Sequence, residues 1–216
     1  MDMPILYSFK RCPYAMRARM MLKLANIQCE LREVRLNNKP EHMLEVSPKG
    51  TVPILILEDM VIDESIDIIN WVLDQNNIFE DNISSEQIAI TETIIDIFDN
   101  KFKYHLDRYK YSNRYESADK KLHQKECLDV LADLEKVMPG ENWFFGNELN
   151  KLDISILPFL RQFRIADPDW FDSLNEIPKI KKLLKNFLNS NLLSEIMFSY
   201  KIWNPSSEIS YLIQDN

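Results

Sequence analysis

The period of the apolar positions changes once along this chain. Up to about residue 78, short apolar runs of strand length alternate with segments of helical period; beyond it only the helical period remains. Residues 4–8 (Pro-Ile-Leu-Tyr-Ser) predict a largely buried strand. Residues 13–25 predict a helix with Tyr14, Ala18, Met21, Leu22 and Ala25 on one face. Residues 28–36 alternate and predict a strand with one wet face. A turn at 37–40, a short helix at 41–46 and a break at Ser47-Pro48-Lys49-Gly50 follow. Val52 to Leu57 predicts a strongly apolar strand, Glu58-Asp59 a turn, residues 60–63 a returning strand, and Ser65 to about Asn76 a helix. The order is βαβ, a helix, then ββα: a parallel pair joined by a crossover helix and closed by an antiparallel hairpin.

Asn76-Asn77 and the polar stretch after Phe79 mark a linker, placed at residues 79–86 between an α/β domain (1–78) and an all-helical domain (87–216). Residues 86–110 carry a helical pattern with Ile88, Ile95, Phe98 and Phe102. Residues 117–138 carry another with Leu128, Leu131, Leu134 and Met138, stopped by Pro139-Gly140. Trp143-Phe144-Phe145-Gly146 reads as an aromatic loop, with helices following at 151–165, 178–189 and 191–199 and a tail carrying Trp203 and Tyr211. Asn150 and Asp153, three residues apart, predict a capping box at the start of the 151–165 helix.

At 216 residues the chain is long enough for one large domain or two small ones, and 45% hydrophobic with 28% charged residues is ordinary for a soluble protein. No apolar run approaches the ~20 residues that span a bilayer, and no basic segment with an apolar h-region opens the chain. Neither a membrane nor a secretory route is therefore expected. Three widely spaced cysteines make no disulfide framework, so a reducing cytoplasm is expected. The net charge of −8 argues against nucleic acid as the main partner. Three glycines cannot build a phosphate-binding loop, and three scattered histidines show no zinc spacing, so no metal is expected.

The candidate chemistry lies in Lys10-Arg11-Cys12-Pro13-Tyr14-Ala15, where the first strand hands over to a helix. Pro13 suits the first helical position, because its missing N–H has no partner there anyway. Cys12 then sits at the helix N-terminus, where positive partial charge collects. Lys10, Arg11, Arg17, Arg19 and Lys23 are near in sequence, and no acidic residue occurs between Met3 and Cys29. Each factor favours the thiolate, which is the nucleophile. Ala15 stands where a dithiol motif has its second cysteine, so resolution needs an external thiol. Cys29 in a strand and Cys127 beside Leu128 and Leu131 read as core residues.

Several segments in order resemble the glutathione transferase superfamily, chiefly its cysteine-type, omega-like and related bacterial members. They are Cys12-Pro13-Tyr14-Ala15, Asn38-Lys39-Pro40-Glu41, Thr51-Val52-Pro53-Ile54-Leu55, Asp63-Glu64-Ser65-Ile66, and Leu152-Asp153-Ile154-Ser155 with Leu157-Pro158-Phe159-Leu160-Arg161. The resemblance implies a thioredoxin-like N-terminal domain followed by a helical C-terminal domain, with glutathione as cosubstrate. It implies a cis peptide bond before Pro53, with the Val52 backbone pairing an extended peptide like an added strand. It implies that Ser65 donates to the γ-glutamyl carboxylate at a helix mouth, that Glu64 faces the γ-glutamyl ammonium, and that Lys39 meets the glycyl carboxylate.

Cys12 is then a nucleophile that forms a mixed disulfide with glutathione, in a thiol transferase or dehydroascorbate-type reductase. Conjugation of glutathione to electrophiles is the alternative, with Tyr7 and Tyr14 as nearby hydroxyls. A non-enzymatic interaction protein of the same fold is a further alternative, which retention on immobilised glutathione discriminates. The resemblance also implies a homodimer and a small electrophilic or disulfide substrate. Tyr104, His105, Arg108, Tyr109 and Trp203 are the candidates for contacting that second substrate between the domains.

Overall fold

The computed structural model describes residues 3–79, 84–116, 118–139 and 142–212. Residues 80–83 of the expected linker at 79–86, Ser117 at the expected start of the second long helix, and Gly140 of its expected stop lie outside the described residues. The chain divides into two compact units, Met1–Ile78 with Ser190–Asn216, and Phe79–Asn189.

The first unit contains β1 (Ile5–Ser8), α1 (Pro13–Leu24), β2 (Glu30–Glu33), α2 (Glu41–Val46), β3 (Ile54–Ile56), β4 (Val61–Ile62) and α3 (Ser65–Gln75). The sheet order is β2-β1-β3-β4, with β1 parallel to β2 and antiparallel to β3, and β3 antiparallel to β4. Alternation along β1 sends Ser8 to Arg19 of α1 and Tyr7 to His42 of α2, so helices cover both faces of the sheet. α1 packs against α3 and against α10 (Asn191–Ile196).

β2 is shorter than its alternating pattern because a strand ends where its partner does: the register closes at Ser8↔Glu33, and Val34 N–H makes the last bond to Ser8 O (2.9 Å). The other edge of β2 is met by the C-terminal tail. Trp203 N–H donates to Glu33 O (2.8 Å), Leu31 N–H to Ser210 O (2.7 Å) and Leu212 N–H to Cys29 O (3.1 Å). Residues 190–216, expected in the helical domain, therefore belong to the first unit. The physical reason is an open strand edge, whose unpaired backbone groups the tail covers.

In the second unit α4 (Ser85–Ile97) runs through a π-helical segment, Phe98–Phe102, into α5 (Lys103–Lys110), so the expected 86–110 helix is continuous but wider in its middle. Phe98 and Phe102, both fully buried, stack there at 4.5 Å and meet Phe159 and Phe163 edge-on. α6 (Lys120–Val137), α7 (Lys151–Ala166) and α9 (Pro178–Leu188) match expected helices; α8 (Pro168–Ser173) was not expected. Its signal was present: Asp167 caps it by accepting from Trp170 N–H (3.2 Å), and Pro168 is its first residue.

The capping box of α7 forms as the sequence predicts. Asn150 Oδ1 accepts from Leu152 N–H (2.9 Å) and Asp153 N–H (3.2 Å), and Asp153 Oδ2 accepts from Asn150 N–H (3.1 Å). Asp153 Oδ1 also accepts from Phe144 N–H (3.0 Å), tying the aromatic loop to the helix. Burial pushes this carboxyl up to about 7, against the pull of the Phe144 and Asn150 donors.

Candidate functional site

Cys12 ends the turn after β1, its N–H donating to Phe9 O (2.9 Å) and its carbonyl accepting from Met16 N–H (3.0 Å). It is the N-cap of α1, with Pro13 next, and its side chain makes no cap bond. The half-buried thiol lies 3.6 Å from Val52 O and packs against the cluster of Tyr7, Ala15, Val34, Met43, Val52 and Ile54. The Val52–Pro53 bond is cis. The expectation left the Val52 carbonyl open to a ligand; here it faces the thiol.

Ser65 opens α3 and is nearly buried; its hydroxyl accepts from Arg17 Nη1 (3.2 Å). A hydroxyl has one proton and two lone pairs, so accepting from Arg17 leaves that proton for an anion. Glu64 is the N-cap of α3 and caps nothing with its side chain, its carboxylate meeting Lys49 Nζ at 2.8 Å. Lys39 lies across Gly50: a Cβ on that glycine, which has φ +60°, would come 3.3 Å from Lys39 Nζ.

The residues expected at a glutathione seat thus lie on four pieces of chain: the start of α1 (Cys12), the turn before α2 (Lys39), the 47–53 loop (Val52, Pro53) and the start of α3 (Glu64, Ser65). Sequence reasoning gave no site role to the contacts of Arg17, Ser47, Lys49 and Asp63, whose partners are 14 to 48 positions away. It also treated the basic residues near Cys12 as one cluster. Two of their side chains go elsewhere: Arg19 is fully buried, pairs with Glu33 and donates to Ser8 Oγ and Ile196 O, while Lys23 pairs with Glu195 (3.5 Å).

Tyr7 is fully buried, its hydroxyl within 2.9 Å of both His42 Nδ1 and Arg32 Nη1; burial pushes its pKa up, and it does not serve as a hydroxyl for a sulfur. Trp203 packs edge-on to Tyr7 at 5.8 Å and under Arg32 at 4.3 Å, within the first unit rather than among helical-domain residues. Cys29 and Cys127 are fully buried, and burial raises both thiols, Cys29 to about 12.

The remaining second-substrate candidates lie on α5. Tyr109 is core, 1% exposed, with its hydroxyl accepting from Gln124 Nε2 (2.8 Å) and its ring against Phe163 and Trp170. It therefore offers no surface to a ligand, because helical spacing buries one stripe of an aromatic-rich helix. Tyr104 is exposed, with the Arg108 guanidinium 3.5 Å from its ring centre and 4.6 Å from that of Tyr115. His105 Nδ1 lies 2.8 Å from His123 Nδ1, and burial, followed by that neighbour, lowers its pKa.

Among the described residues no group of three or more His, Cys, Asp or Glu side chains is placed to hold a metal, and no helix is long and apolar enough to cross a membrane.

Two family models match the chain: the glutathione S-transferase N-terminal domain over residues 6–78 and the glutathione S-transferase C-terminal domain over residues 91–186. The chain is similar to probable glutathione S-transferase parA of Nicotiana tabacum, 26% identical over 96% of this chain and 95% of the relative. It is also similar to glutathione S-transferase omega-1 of Rattus norvegicus, 24% identical over 97% of this chain and 86% of the relative. Among solved structures, a glutathione transferase family member from Pseudomonas fluorescens pf-5 with two glutathione bound matches with a TM-score of 0.78. It covers 91% of this chain and 92% of that chain at 17% identity, a likeness of fold.

Proposed function

The chain belongs to the glutathione transferase superfamily, and within it we propose a glutathione-dependent thiol transferase that works through Cys12. The observation that carries this reading is a lone accessible thiol at an uncapped helix start, beside Val52 O, with buried Ala15 where a resolving cysteine would stand. The other two cysteines are buried and their thiols raised, so neither can resolve a disulfide.

Glutathione lies extended along Val52, its γ-glutamyl carboxylate at Ser65, its ammonium at Glu64 and its glycyl carboxylate at Lys39. Cys12 thiolate attacks the glutathione sulfur of a mixed disulfide, and the substrate thiolate leaves and takes a proton. A second glutathione thiolate attacks the Cys12–glutathione disulfide, releasing oxidised glutathione and the Cys12 thiolate. The net exchange converts one substrate–glutathione disulfide and one free glutathione into the substrate thiol and oxidised glutathione, the sulfur of the free glutathione being oxidised as the substrate sulfur is reduced. The protein acts in the cytoplasm as a homodimer.

The test is the mass of the protein after exposure to oxidised glutathione, together with turnover of a glutathione mixed disulfide. One adduct, mapped to Cys12 and reversed by glutathione, is expected; full turnover by Cys12→Ala overturns the assignment. Conjugation is the second reading, favoured by the plant relatives named as S-transferases. It predicts that Cys12→Ala retains activity toward an aryl halide.

A further inference from the structure

Ser47, Lys49 and Asp63 join Glu64 in a polar clasp, of which the proposed chemistry uses only Glu64. Ser47 Oγ donates to Asp63 Oδ2 (2.7 Å), and Lys49 Nζ donates to Asp63 Oδ1 (3.0 Å) and Glu64 Oε1 (2.8 Å). The clasp joins the loop that carries Val52 to the corner that opens α3 with Ser65. Two consecutive carboxylates repel each other unless a cation lies between them, and Lys49 lies there. The Ser47 hydroxyl and then Lys49 hold the Asp63 carboxyl below the usual carboxylate range. Asp63, Glu64 and Lys49 together carry one net negative charge, which matches one ammonium.

Glu64 is exposed and makes no bond to its own helix start, so the bond from Lys49 is what orients its carboxylate. Asp63 is held from both sides, whereas Glu64 is held by Lys49. Resting on the glutathione seat described above, we propose that Lys49 is a positioning residue. It fixes the Glu64 carboxylate at the mouth of α3 for the single γ-glutamyl ammonium, and so acts on that end of the tripeptide only. An exposed ion pair of this kind adds little to fold stability, so Lys49 variants remain folded.

The experiment is a calorimetric titration of the full chain with glutathione and with glutathione whose γ-glutamyl amino group has been removed. Lys49→Met weakens glutathione binding about three- to tenfold, the cost of ordering a freed glutamate side chain. Lys49→Arg restores the affinity. The deaminated ligand binds wild type and Lys49→Met equally, and Lys49→Met has no further effect in a Glu64→Gln background. An unchanged glutathione affinity in Lys49→Met, or equal weakening of both ligands, overturns the proposal. If Glu64→Gln and Ser65→Ala both leave glutathione affinity unchanged, the seat itself is wrong and the positioning role falls with it.

Discussion

The helices of the two units start in different ways. In the second unit α4 begins under a Ser84–Gln87 capping box, α6 under Asp119, α7 under Asn150 and Asp153, and α8 under Asp167. α9 has no cap of its own, but the Glu135 carboxylate accepts from Lys179 N–H and Ile180 N–H, both at 2.9 Å. In the first unit α1, α2 and α3 begin at Cys12, Pro40 and Glu64-Ser65 with no side-chain cap bond. α10, in the same unit but away from those residues, is capped by Ser190. The openness therefore belongs to three helix starts, those of α1, α2 and α3, rather than to a unit. The first N–H groups of a helix need partners, and a residue that caps them serves stability. A start left open keeps its donors and its positive end for an incoming anion or thiolate.

The largest expected effect sharpens the open side of this contrast. Cys12→Ala lowers mixed-disulfide turnover by at least about a hundredfold, since no other thiolate is available, while retention on immobilised glutathione persists. Both are read in one preparation.

Next comes the closed side. Asp153→Ala costs about 2 kcal/mol of stability, combining a lost cap with a Phe144 N–H left buried without its acceptor. Chemical denaturation measures it. An unchanged unfolding midpoint would remove the capping box from the account of stability.

The same carboxyl makes stability depend on pH in a stated direction. Burial pushes it up to about 7 in the folded chain from an ordinary 3.8, so between these values the folded state keeps a proton that the unfolded state has released. Its contribution is fully present below about pH 4 and declines as pH rises toward 7, by at most about 1.4 kcal/mol per unit. Asp153→Asn, which does not titrate, shows a flatter profile over that window.

Smaller still, Ser65→Ala weakens glutathione about tenfold by removing one charge-assisted hydrogen bond. A stability loss as large as that of Asp153→Ala would break the comparison, because it would make Ser65 a structural cap as well. The smallest is Glu135→Gln, which keeps one acceptor for the start of α9 and lowers stability by about 0.5–1 kcal/mol without changing glutathione binding.

Much of this was legible because it is local. Strand and helix order, Pro13 as first helical residue, and the Asn150/Asp153 box each depend on residues within one turn or one pleat of each other. The Cys12, Val52-Pro53 and Glu64-Ser65 segments were identified from their order along the chain. What was missed depends on partners: β2 stops where β1 stops, the tail covers an edge that no tail residue announces, and Arg19 leaves the thiol's neighbourhood for Glu33. Tyr109 and Tyr104 look alike in composition, yet one is core and the other exposed.

Which elements form, in which order, and which thiol stands at a helix start follow from the chain alone, because period, capping and proline act over a few residues. Which charges meet was settled by packing. Arg17 reaching Ser65, Lys49 joining Asp63 to Glu64, and Lys39 lying over Gly50 are contacts between segments 11 to 48 residues apart. Side-chain charges interact through space, and one period carries no information about which distant element packing brings within 3 Å.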